Sequence, residues 1–277
     1  MKINRHTVHH DDLTLEYITL GEGSQIILSF HGFGRKAEDF LLFEPLLKPH
    51  QKLVSVNILQ HGKSRFPEHR ISRDPLKHHE WSMLIASILE KEKVEKYWVM
   101  GYSLGGKLAL ETALTMAFKP TGILLLAPDG IKVNKLYSFT SKTSTGRAIY
   151  RQVLKRPKPF FKLADLLKFL KIISDKIHRF VNYHMDTHQK RRLVYDTWLI
   201  FRNFEPNLRE VALVVDKYEI EFHMIFGKYD KIIPPAHGKK MAEILKNPKA
   251  LHVLESGHLL LEEPTRDYIK KCNLWPD

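Results

Sequence analysis

The sequence predicts an α/β fold: a mostly parallel sheet flanked by helices, with an inserted helical module. Short, nearly unbroken apolar runs alternate with longer segments of helical period. That alternation stops near Ile131 and resumes near Glu219. Charge is divided at the same place. Residues 131–207 hold 17 Lys and Arg against 5 Asp and Glu, and the other 200 residues hold 27 against 26. Almost all of the formal +13 therefore lies in the interruption, a composition shift that marks an insertion. The expected organisation is a core of residues 1–130 and 208–277 and a basic helical insertion over 131–207.

Each element follows from its pattern. LTLEYITL (13–20) alternates with period two and predicts an edge-type antiparallel strand. QIILSF (25–30), LVSVNI (53–58), YWVMGY (97–102) and GILLLAP (122–128) lack alternation, as strands covered on both faces do. EFHMIFG (221–227) and ALHVLES (250–256) read the same way. Helices are expected over Glu38–Leu47, Pro75–Glu92, Gly105–Met116, Ala236–Leu245 and Glu262–Lys271. Inside the insertion, Leu163, Leu166, Leu167, Leu170, Ile173, Ile177, Phe180 and Val181 form a helical stripe, with Lys162, Lys168, Lys171, Lys176 and Arg179 largely off it. That stripe is expected to be a packing face.

Composition narrows the function. With Cys272 as its single cysteine, the chain can form neither an internal disulfide nor a cysteine metal cluster. The polar start MKINRHTVHHDDLTLEY has no signal-peptide core, and no apolar run approaches the ~20 residues that span a bilayer. A soluble, cytoplasmic protein is expected. Despite the charge, no nucleic-acid-binding motif appears.

Chemistry concentrates at strand ends. HGFG (31–34), GYSLGG (101–106), FGKYD ending at Asp230, and SGH ending at His258 each lie just beyond a predicted strand. In an open parallel sheet those ends border the ligand crevice. GYSLGGK also fits the start of a phosphate-binding loop ending at Lys107, but Leu108 stands where a magnesium-binding Ser or Thr is required. A serine hydroxyl needs a base near neutral pH, and a histidine with an orienting carboxylate supplies one. His184 and His188 have the i, i+4 spacing of helical metal ligands but lack the accompanying HExxH pattern, so no metal or cofactor is expected.

The serine turn, the histidine–glycine turn and the order Ser, Asp, His together resemble the α/β-hydrolase superfamily over nearly the whole chain. HGKS at His61–Ser64 is similar to a further turn of that family, with Gln60 replacing its first Gly. The resemblance implies Ser103 as nucleophile, His258 as base and Asp230 as the acid, with Asp129 as the rival acid after LLLAP. It implies backbone N–H groups of Phe33 and Leu104 as the oxyanion hole, and the insertion as a cap. Substrate contacts are expected from His31, Tyr102, Phe160, Phe161 and Leu167. The implied activity is hydrolysis of a carboxylic ester or thioester. A carbon–carbon bond hydrolase or lyase and a non-catalytic small-molecule receptor stay open. The basic insertion has three readings: a solvated face, attraction of an anionic substrate, or peripheral contact with an anionic membrane. The oligomeric state is not legible.

Overall fold

A computed structural model describes residues 2–277, apart from the side chains of Phe180, a position of the expected stripe, and Lys176, expected off it, which lie outside the described residues. Eight strands form one sheet: β1 (Asn4–His10), β2 (Leu13–Gly21), β3 (Gln25–Phe30), β4 (Gln51–Asn57), β5 (Lys96–Tyr102), β6 (Gly122–Leu126), β7 (Glu221–Gly227) and β8 (Leu251–Leu254). Their spatial order is β1-β2-β4-β3-β5-β6-β7-β8. The pairs β1/β2 and β2/β4 are antiparallel, and every other pair is parallel.

This order creates the point at which a site can form. After β3 the chain turns one way to β4 and then returns to place β5 on the opposite side of β3. Strand order therefore reverses at β3/β5, where an open sheet leaves a crevice at its carboxyl edge. Phe30 is paired with Gly101, so the turns that leave β3 and β5 emerge side by side. Both strands are buried along almost their whole length, which explains why their sequences show no alternation.

Several expectations need correction. β2 is not an edge, because β1 pairs along its outer side. NRHTVHH gave no strand signal since only Val8 of its side chains is buried. The segment expected as a helix over Glu38–Leu47 is a 3-10 helix, Ala37–Leu46, with Pro45 inside it. Phe40 and Phe43, three residues apart, face the core together, as the period of that helix demands. The helix expected from Pro75 begins at His78, where Lys77 N–H donates to the Glu80 carboxylate at 2.9 Å.

The chain divides into two compact units, one of residues 1–67, 76–132 and 204–277, the other of 68–75 and 133–203. The first contains the sheet. The second is helical: Glu68–Ile71, Lys135–Lys142, Ser144–Lys155, Pro157–Phe169, Asp175–Met185 and His188–Ile200. Residues 68–75 group with it; Arg202, buried, donates to the Ile71 and Ser72 carbonyls. Asn134, Thr143, Ser174 and Thr187 cap the starts of four helices by accepting backbone N–H bonds. The stripe read from Leu163 to Val181 is two helices rather than one. Lys171 takes a left-handed φ of 56°, which ends the first, and Ser174 caps the second. Nor is the stripe a packing face throughout, because Leu163, Leu166 and Leu170 are exposed.

Candidate active site

Ser103 sits between β5 and the helix Leu104–Thr115, with φ 52° and ψ −117°. A non-glycine residue with positive φ stores strain and persists only where its surroundings over-determine it. Here they do. Ser103 N–H donates to Leu126 O at 2.9 Å, and Ser103 O accepts from Gly106 N–H and Asp129 N–H, both at 2.8 Å. Side chains are excluded around it: a Cβ on Gly105 would strike the Phe30 carbonyl, and one on Gly101 the Gly105 backbone. A Cβ on Gly106 would strike Pro128, in the loop after β6.

The carboxyl end of the sheet brings three predicted residues together. His258 Nε2 lies 3.1 Å from Ser103 Oγ, and His258 Nδ1 lies 2.7 Å from Asp230 Oδ2. The other Asp230 oxygen, Oδ1, accepts from the backbone N–H groups of Ile232 and Ile233 at 2.7 and 2.9 Å. Asp230 is only 2% exposed, so its charge meets fixed donors instead of water. Since a carboxylate can only accept, His258 Nδ1 is the donor to Asp230, and in the neutral ring that leaves the Nε2 lone pair toward the serine. Tyr102 O–H donates to the His258 carbonyl at 3.2 Å, and its ring lies 5.6 Å from the imidazole.

Asp129 is occupied differently. Its carboxylate accepts from Gly130 N–H at 2.8 Å and lies 3.2 Å from Lys107 Nζ. Lys107 is 3% exposed, so it is a buried lysine rather than a solvated helix residue. The pair joins the helix after Ser103 to the loop that bonds the serine carbonyl.

The HGFG turn lies against the serine, since a Cβ on Gly32 would be 3.1 Å from Ser103 Cβ. Two buried histidines brace it. His31 donates from Nδ1 to Gly32 O at 2.7 Å and accepts at Nε2 from Ile58 N–H at 3.2 Å. His61 donates from Nδ1 to Leu59 O at 3.1 Å and accepts at Nε2 from Gly34 N–H at 3.0 Å. Each bond partner has a fixed polarity, so both rings are neutral single tautomers. Burial agrees, pushing the His31 pKa down to about 3, with His61 as a lesser cause, and that of His61 to about 4. His31, expected to touch substrate, is fully buried in this framework. The role of His61 was missed; its signal was HGKS itself, a turn with Gly62 that follows β4. The Phe33 ring lies edge-on to His61 at 5.9 Å. Leu104, as the first helical residue, has no carbonyl for its N–H within the helix.

Phe160, Phe161 and Leu167 all lie in the helix Pro157–Phe169 of the helical unit, each partly buried, with the two phenylalanine rings edge-to-face at 5.4 Å. A groove of about 490 Å³ lined by His78, Glu111, Leu114, Glu210 and Leu213 includes none of the site residues. Among the described residues, no group of three or more His, Cys, Asp or Glu side chains is arranged to hold a metal ion. No helix among them is long and apolar enough to cross a membrane.

Comparison with known proteins agrees with this architecture. The sequence model described as "Alpha/beta hydrolase family" matches residues 26–270. An uncharacterised hydrolase of Bacillus subtilis, YugF, is 24% identical over 264 residues, covering 94% of this chain and 93% of its own length. The acetyltransferase component of the acetoin cleaving system of Pseudomonas putida is 24% identical over 252 residues, 85% of this chain; the match spans only 60% of that relative's length. Among solved structures, a thermophilic esterase from Thermogutta terrifontis aligns with TM-score 0.67 at 15% identity, covering 99% of this chain and 98% of the esterase.

Proposed function

This chain belongs to the alpha/beta hydrolase family, and from that premise we propose that it is a serine hydrolase of carboxylic esters or thioesters. One observation carries the reading: a single imidazole bridges Ser103 Oγ at 3.1 Å and a buried carboxylate at 2.7 Å. A solvated histidine has no reason to hold both contacts, and a serine has no reason to bear a strained backbone unless its hydroxyl must be presented.

In the proposed cycle, Ser103 Oγ attacks the acyl carbonyl as His258 Nε2 takes its proton. Asp230 holds the ring's tautomer and stabilises the imidazolium. The N–H groups of Phe33 and Leu104 receive the developing oxyanion. Each such donor is typically worth ~3–4 kcal/mol in the transition state. His258 returns the proton to the leaving alkoxide or thiolate as the tetrahedral intermediate collapses to the acyl-enzyme. Water then attacks with the same base, releasing the carboxylic acid and restoring Ser103. The braced HGFG turn supports this role, because donors stabilise a transition state best when they need not reorganise.

A fluorophosphonate probe tests the nucleophile. Labelling at Ser103 that disappears in Ser103→Ala, together with turnover of p-nitrophenyl esters or acyl thioesters, is expected. A folded protein that takes no label would overturn the reading.

A further inference from the structure

The helical unit leaves several large apolar side chains outside, although Leu199, Ile200 and Phe201 are fully buried. In the helix Pro157–Phe169, Ala164 is buried and Phe160 and Leu167 are partly covered, so that side packs within the protein. The opposite side does not. Leu163, Leu166 and Leu170, spaced i, i+3, i+7, are each more than half exposed, Phe169 is 81% exposed and Ile172 66%. Exposed groupings of this kind usually mark an interaction surface.

The charge around them selects the partner. Between Arg151 and Ile172 stand seven basic residues and one acidic residue. Lys158 and Lys162 precede Leu166 and Phe169 at helical spacing, and Lys171 follows directly. Among the described residues, Lys155, Arg156, Lys158, Lys162 and Lys171 form no ion pair, and Asp165, the one acid, is turned to His178 at 2.8 Å. An apolar stripe bordered by unneutralised lysines complements a surface that is apolar at one depth and anionic just above it.

We propose that the face formed by Leu163, Leu166, Phe169, Leu170 and Ile172, with its flanking lysines, docks this protein on anionic lipid bilayers. The apolar side chains enter the acyl boundary while the lysines meet lipid phosphates. Docking neither spans the bilayer nor depends on the hydrolase assignment, since it is a property of the helical unit's own surface.

The test is co-sedimentation of the whole chain with phosphatidylcholine vesicles, with and without phosphatidylglycerol. Binding is expected only when phosphatidylglycerol is present, weakening as salt rises. The double variant Leu166→Ser, Phe169→Ser is expected to bind at least about tenfold more weakly. The triple variant Lys158→Gln, Lys162→Gln, Lys171→Gln should lose roughly 100-fold, since each basic residue near such a surface is worth roughly fivefold. Unchanged circular dichroism and an unchanged midpoint of denaturant unfolding show that the variants are folded. Equal binding to pure phosphatidylcholine, undiminished binding by the double variant, or no vesicle binding would each overturn the proposal. So would a wild-type dimer in sedimentation velocity that Phe169→Ser converts to monomer, because the face would then belong to a second copy of the chain.

Discussion

The two units differ in how many of their large apolar side chains they leave outside. In the sheet unit, Trp81, Phe30, Phe40, Phe226 and Leu28 are fully enclosed, and even His31, Lys107 and Asp230 are buried with partners. In the helical unit, Leu136, Ile149, Leu163, Phe169 and Ile172 stand more than half exposed beside an excess of Lys and Arg. The proposed nucleophile, Ser103, sits on a strained turn that needs surroundings unable to relax, and a close-packed sheet provides them. A surface meant to meet something else keeps its apolar groups outside. Rigidity and availability are thus assigned to different parts of one chain.

The sharpest probe of the rigid part is the pair of aspartates. Asp230→Asn should lower kcat on a p-nitrophenyl ester by about 10⁴-fold, because the wrong imidazole tautomer would face the serine. Asp129→Asn, whose carboxylate meets Lys107 and Gly130, should cost less than about tenfold. Comparable losses at both positions would remove the distinction between them. Next in size is packing. Leu28→Ala, in the middle of β3, should cost about 3 kcal/mol in denaturant unfolding.

Acid should then loosen the sheet unit through its two neutral histidines. Unfolded histidines take up protons below about pH 6.5, whereas His31 stays neutral to about 3 and His61 to about 4. The unfolded state thus binds more protons across that window, so stability is fully present above about pH 6.5 and falls as pH drops toward 4. The slope approaches about 1.4 kcal/mol per pH unit for each histidine. His61→Asn should flatten the dependence of unfolding free energy on pH; an unchanged slope would show that His61 is not its source. The smallest effect belongs to the helical unit: Leu170→Ala should shift stability by no more than about 0.5 kcal/mol. A cost equal to that of Leu28→Ala would erase the contrast between the two units.

Legibility in the sequence did not follow that division. Strands β3 to β7 were plain because burial on both faces removes polar residues from a run. Ser103, Asp230 and His258 could be picked out because the topology delivers strand ends to one edge, and strand ends are local features. β1 was invisible, being polar and exposed. The 3-10 helix at Ala37–Leu46 differs from an α-helix by a small change of period that ten residues cannot reveal. The break at Lys171 rests on one left-handed residue that no glycine announced. The bracing by His61 and the Lys107–Asp129 pair depend on partners 22 to 27 residues away in sequence, at right angles to any periodicity. Exposure of the Leu163 stripe was misread because an apolar period specifies a face but not what lies against it.

The sheet's two outer strands carry one further consequence. β8 is only four residues long, and β1 presents Arg5, His6, His9 and His10 along seven residues. Open strands offer unpaired N–H and C=O groups to any passing chain, and natural sheets protect them by brevity or by charged and polar side chains. Both protections are present here, one on each side. The sheet's margins are thereby guarded against edge-to-edge polymerisation, which would otherwise threaten a protein whose central strands are so uniformly apolar.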